Sequence, residues 1–138
     1  MEIPQGLKVT ISGIRGVVGE TLTPGIVAAF VAAYEAVLPR GTVVVGFDGR
    51  ESGKELLGIV TGALEKRGRE VKSVGLCPLP TLQIAVREFG VVAGILVTAS
   101  HNPAEYNGLK FLNSDGEFIR EDTLGKIVSG FEQNEDTQ

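Results

Sequence analysis

The chain has 138 residues, a length that suits one compact domain over 1–138. Its net charge of −4 argues against a nucleic-acid partner, and no apolar run is long enough to span a membrane. One cysteine, Cys77, excludes an internal disulfide and fits a reducing cytoplasm, and with a single histidine it leaves no Cys/His zinc site.

Met1 to Gly6 lacks the basic and apolar regions of a signal peptide. Val9 to Ile14 then reads as a short first strand ending in glycines. Thr23 can cap a helix whose first position suits Pro24. Ile26, Val27, Phe30, Val31, Tyr34 and Val37 share one face of that helix, and the alanines around them leave little polar surface. Such a helix is either deeply buried or touches something outside the chain.

Thr42 to Phe47 is β-branched and uncharged, as a buried strand should be. Ser52 and Glu55 have capping-box spacing before a second helix, with Leu56, Leu57, Val60 and Leu64 on its apolar face and Gly68 at its end. Val71 to Leu76 forms a third strand. Pro78 and Pro80 punctuate the loop before a helix from Thr81 to Phe89, which Gly90 stops. Val92 to Val97 is a fourth strand. Gly108 to Leu112 and Glu117 to Ile119 read as a hairpin about Asn113-Ser114-Asp115-Gly116, and Leu124, Ile127, Val128 and Phe131 mark a last helix. The alternation predicts an α/β three-layer sandwich, its mostly parallel, mixed sheet flanked by helices.

Chemistry concentrates in Thr98-Ala99-Ser100-His101-Asn102-Pro103, which follows the fourth strand. In open α/β sheets that edge is where ligands bind. Ser100 either starts a turn or carries chemistry, and as a bare hydroxyl it needs a base or a phosphate already installed. Lys110 can return to the same edge through the hairpin, where an ammonium neutralises phosphate charge or moves a proton; on composition alone it is a solvated surface lysine. Asn107-Gly108 before it permits the torsions of a tight loop. Arg15 lies in Ser12-Gly13-Ile14-Arg15-Gly16, where glycines let the backbone approach a ligand and a guanidinium can grip phosphate. Asp48-Gly49-Arg50 belongs on another edge loop, with Asp48 equally suited to pair with Arg50. A serine-hydrolase triad lacks its second base, since His101 is the only histidine and no Gly-x-Ser-x-Gly elbow is present. Gly53-Lys54 is no Walker A loop, because Asp48 and Glu55 stand where glycine and Ser/Thr are required.

Four segments, in order, resemble the N-terminal phosphoserine domain of the α-D-phosphohexomutases, the phosphomannomutase/phosphoglucomutase family. They are Ser12 to Gly16, Val45 to Arg50 with Ser52-Gly53, Gly75 to Thr81, and Thr98 to Pro103 with Tyr106-Asn107-Gly108-Leu109-Lys110. The last is highly specific, and the resemblance covers nearly the whole chain. It implies that Ser100 carries a transferable phosphate, that His101 and Lys110 are acid/base or charge-stabilising groups, and that Arg15 helps form the cleft. Arg15, Ser100, His101, Asn102 and Lys110 would contact a hexose phosphate. Phosphate would move between the 1 and 6 positions through a bisphosphate intermediate, making the protein an intramolecular phosphotransferase. One Mg2+ would meet this chain through the Ser100 phosphate, its other ligands coming from a later domain, and a hexose 1,6-bisphosphate would serve as activator. Thr98 before Ala99-Ser100 leans toward the hexose rather than the phosphoglucosamine branch. Val9-Thr10-Ile11 replaces the family's aromatic residue, glycine and threonine, and Leu79 stands where threonine is common. No Asp-x-Asp-x-Asp run is present. The resemblance therefore implies that the other domains of the same enzyme are partners, that this chain alone is incomplete for turnover, and that surfaces meant for those domains can drive self-association. The alternative is a non-catalytic sugar-phosphate-binding or interaction module on the same fold.

Overall fold

A computed structural model describes residues 1–99 and 102–134. Among these residues the chain runs β1 (Lys8–Thr10), β2 (Gly13–Val17), α1 (Pro24–Ala36), β3 (Val43–Phe47), α2 (Gly53–Lys66), β4 (Val71–Leu76), α3 (Leu79–Phe89), β5 (Ala93–Val97), β6 (Tyr106–Leu112) and α4 (Glu121–Glu132). The strands make one mixed sheet in the order β1-β2-β6-β5-β3-β4. β3 pairs in parallel with β4 and β5, and the other three pairings are antiparallel. The α/β sandwich holds, with its parallel part confined to the β4-β3-β5 half.

Handedness dictates the layers. β4 and β5 flank β3 on opposite sides, so right-handed crossovers place α2 and α3 on opposite faces. Val43 and Val45 of β3 point into the larger core with α1, α2 and α4, whereas Val44 points into the smaller core under α3. Burial on both faces is why this strand reads as an uninterrupted apolar run. α1 settles its open question by packing on the sheet between α2 and α4, with Phe30 stacked on Phe131 at 4.0 Å. Thr23 caps it, its hydroxyl oxygen accepting from the Ile26 N–H at 3.3 Å, and Pro24 opens it. Val37 falls at the C-cap and is exposed. Tyr34 donates to the Leu112 carbonyl at 2.6 Å, fixing the end of β6 to α1, and burial pushes its hydroxyl pKa upward.

Four local expectations are corrected. The first strand is a hairpin: Thr10 pairs with Gly13, and the Thr10 and Ser12 hydroxyls hydrogen-bond at 2.9 Å across the turn. α3 starts at Leu79, because Pro80 fits a first helical turn, where a missing N–H costs nothing. Residues 117–119 are not a strand; they return to β6 only through the Leu112–Phe118 bridge. β2 pairs with β6 only from Tyr106 to Leu109, but just past the Leu112–Phe118 bridge the chain buries Ile119 in the larger core and enters α4 at Glu121, which leaves no length for a ladder. Finally, Ser52 precedes α2 but makes no side-chain cap; its oxygen instead accepts from the Asn107 side-chain amide at 2.8 Å.

Candidate active site

The chain leaves β3 toward β4 and leaves β5 toward β6, on opposite sides, so the carboxyl ends of β3 and β5 diverge and open a crevice. The two ends are tied at its base. The Asp48 N–H donates to the Val97 carbonyl at 3.2 Å, and the Thr98 hydroxyl donates to the Asp48 carboxylate. Ser100 and His101, the sequence's first candidates, lie outside the described residues, on the segment between Ala99 and Asn102.

Strand alternation puts the cations together. Ile14, Leu109 and Phe111 point into the larger core, so Arg15 and Lys110 point to the opposite face. Arg15 sits opposite Gly108, and Lys110 opposite Leu96. α3 covers β3 and β5 but leaves this part of the face open. Lys8 pairs in register with Arg15, so β1 adds a third cation to the row. Together with Thr10, Ser12, Thr98 and Ala99, these three cations line a cavity of about 40 Å³. That is one wall of a site, too small to enclose a sugar phosphate. Sequence reasoning missed Lys8; reading Ile11-Ser12 as a turn would have put it beside Arg15. A larger groove, about 640 Å³, follows the alanine face of α1 and carries no such convergence of charge.

The glycines act differently from expectation. Gly108 is inside β6, not in a tight loop, and a Cβ there would lie 2.1 Å from the Ile14 carbonyl oxygen. A Cβ on Gly13, whose φ is 127°, would lie 1.8 Å from the Leu109 oxygen. They admit neighbouring backbone rather than a ligand, and so bring Arg15 level with Lys110.

Asp48 and Arg50 are linked through the backbone, the Arg50 N–H donating to the Asp48 carboxylate at 3.4 Å. The Arg50 guanidinium reaches the carbonyls of Asn102, Pro103 and Tyr106. Asn102 turns inward, its backbone and side-chain N–H groups both donating to the Ala99 carbonyl, at 3.2 and 2.6 Å.

Burial, then repulsion from Arg15, holds the Lys110 ammonium below the ordinary lysine range, while the Asp48 charge opposes the shift. The unfolded chain therefore binds more protons between the folded and ordinary values, and through Lys110 stability rises with pH in that window. Arg15→Gln is expected to raise the Lys110 pKa, Asp48→Asn to lower it, and a bound phosphate anion to raise it, all read by NMR titration of the side-chain nitrogen. No rise in Arg15→Gln would show that burial alone sets the value.

Among the described residues, no group of three His, Cys, Asp or Glu side chains could hold a metal. Asp48 is already engaged by Thr98 and the Arg50 backbone. These residues by themselves do not form a cation cage. No helix among them is long and apolar enough to cross a membrane.

The profile of phosphoglucomutase/phosphomannomutase α/β/α domain I matches residues 6–138. A phosphoglucosamine mutase of Prochlorococcus marinus (strain MIT 9303) is 40% identical over 119 residues, covering 86% of this chain and 25% of the relative. A phosphoglucosamine/phosphogalactosamine mutase of Sulfurisphaera tokodaii is 40% identical over 120 residues, covering 86% and 26%. In three dimensions, a phosphoglucomutase/phosphomannomutase family protein from Burkholderia thailandensis superposes with a TM-score of 0.74 at 31% identity, over 90% of this chain and 30% of that one. The chain thus spans about a quarter of the length of the curated relatives it matches. Over that span, sequence and topology agree: this chain belongs to the phosphoglucomutase/phosphomannomutase family, as its α/β/α domain I.

Proposed function

We propose that this chain is the phosphoserine domain of a mutase that moves phosphate between the 1 and 6 positions of a hexose or hexosamine phosphate. The observation that carries the reading is the placement of Arg15 and Lys110 on one open sheet face, at the edge from which the Ser100 segment departs. The Thr98 hydroxyl is directed to Asp48, inside the domain, and of the proteins compared above two bear the names of amino-sugar mutases and one that of the phosphoglucomutase/phosphomannomutase family. The proposed sugar class therefore includes both branches.

In the proposed step the bond from Ser100 Oγ to phosphorus breaks as a sugar hydroxyl oxygen bonds to phosphorus. The hydroxyl proton leaves to a base, and Oγ takes up a proton. Arg15 and Lys110 meet the charge that spreads over the phosphoryl oxygens, and His101 and Lys110 are the proton-carrying candidates. After the bisphosphate turns over, its other phosphate returns to Ser100. Mg2+, when bound, would offset phosphate charge and would touch this chain through the phosphoserine. The remaining walls of the site belong to further domains of the same enzyme. Cytoplasmic residence suits the buried Cys77, whose thiol pKa burial raises.

The test is phosphate mapping by mass spectrometry after incubating the full-length protein with a hexose 1,6-bisphosphate. Phosphate is expected at residue 100 and absent from Ser100→Ala. Modification confined to other serines, unchanged in Ser100→Ala, would defeat the assignment and favour a binding module.

A further inference from the structure

The β3–α2 turn does more than join two elements. From Asp48 to Ser52 it touches the β5–β6 connection at points on both sides of residues 100–101. On the near side, Asp48 accepts from the Thr98 hydroxyl. On the far side, Arg50 donates to Asn102 O at 2.6 Å, Pro103 O at 2.7 Å and Tyr106 O at 3.2 Å. Beyond them, Ser52 Oγ accepts from Asn107. Three main-chain oxygens spread over five residues are held by one planar fork, which a lysine's point charge could not reproduce.

This grip is not part of the core. Neither Arg50 nor residues 102–106 belong to the two apolar clusters, and Pro103, Ala104 and Glu105 are exposed. Besides this turn, the stretch is held by its own bonds to the Ala99 and Pro103 carbonyls and by the Val18 N–H, which donates to the Glu105 carbonyl at 2.9 Å; of these, the Arg50 fork reaches the most residues. A loop without a core holds its shape through such contacts, and phosphoryl transfer is sensitive to shape: misplacing a reacting group by about 1 Å can cost about a hundredfold in rate.

We propose that Arg50 is the positioning residue of the serine loop: by clamping the Asn102, Pro103 and Tyr106 carbonyls against an Asp48 that holds Thr98, it fixes the geometry in which Ser100 accepts and gives phosphate. In this role Arg50 acts through the loop backbone it holds. The inference rests on the reading of Ser100 as the phosphate carrier. In the step tested, phosphate leaves an oxygen of a hexose 1,6-bisphosphate and bonds to Ser100 Oγ, and the serine proton passes to the freed sugar oxygen.

Two readouts on the full-length protein separate positioning from folding. The first is amide hydrogen exchange at Asn102 and Tyr106, whose N–H groups donate to Ala99 and Pro103 within the loop. In Arg50→Ala and Arg50→Lys it should accelerate about tenfold or more, while the amides of β3 and β5 keep wild-type protection and the melt barely moves. The second is the rate of phosphate uptake by Ser100 from the bisphosphate. Its maximal value should fall about tenfold to a hundredfold in both variants, with half-saturation unchanged. Arg50→Lys keeps the charge and most of the stem, so it remains informative if Arg50→Ala fails to fold. Wild-type rates in Arg50→Lys, or unchanged loop exchange, would overturn the inference and leave the phosphoserine reading standing. Absence of phosphate from Ser100 in the wild-type protein would overturn both.

Discussion

Lys110→Met in the full-length protein is expected to slow phosphoryl transfer by roughly a hundredfold or more, the scale of losing a positioned proton donor or an electrostatic contact in a water-poor site. The melt should scarcely change. Methionine keeps much of the apolar stem, and a single half-buried charge contributes on the order of 1 kcal/mol or less. The local electrostatics favour that outcome, because Arg15 repels the Lys110 ammonium and its removal relieves that repulsion. The contact of the ammonium with the Phe118 ring, 5.4 Å from its centroid, works weakly the other way. Single-turnover transfer from phosphoserine to sugar, measured beside thermal unfolding, checks the prediction. Unchanged transfer with a collapsed melt would make Lys110 a structural residue.

Gly108→Ala should have the opposite signature, a fold damaged first and a site lost with it. The new Cβ would lie 2.1 Å from the Ile14 oxygen and 3.1 Å from the Arg15 Cα, both backbone atoms of the paired strand. β2 cannot yield without breaking its ladder to β6, so the expected destabilisation is on the order of 4 kcal/mol, in the range reserved for overpacked or broken cores. Gly125→Ala is the control. It lies on the exposed side of α4 with nothing within 4 Å of the added carbon, and should stabilise by roughly 0.5–1 kcal/mol through helix propensity. Thermal melts of the three proteins decide the matter; a Gly108→Ala melt at the wild-type temperature would mean that β2 shifts freely, and that register does not hold Arg15 beside Lys110.

Much of this molecule was legible as a string. The elements that local chemistry encodes came through with bounds close to the observed ones. Val71 to Leu76 matches its strand, Thr23 caps α1, and Gly90, at φ 62°, ends α3. Each depends on a side chain's own preference or on an apolar period, both written into a few adjacent residues. The loop at Ser100 and the candidates Arg15 and Lys110 were likewise visible as motifs.

Tertiary structure decided what depends on a partner distant in the chain. Ser52 has the spacing of a capping residue, yet its hydroxyl serves Asn107, because β6 arrives beside it. Glu117 to Ile119 follows the residues of a turn and reads as the return strand of a hairpin, yet it makes one bridge only, because Ile119 is drawn into the larger core and the chain enters α4 at Glu121. Arg50 looked like a partner for the Asp48 side chain, but its guanidinium reaches across to the serine loop. Lys8 carried no motif at all; only the register of β1 on β2 puts it with Arg15 and Lys110. The sequence alone determined which residue types stand at the ends of which strands. Only the packed sheet decided which of them meet, since register and strand order are set by long-range pairing and burial rather than by the few residues on either side.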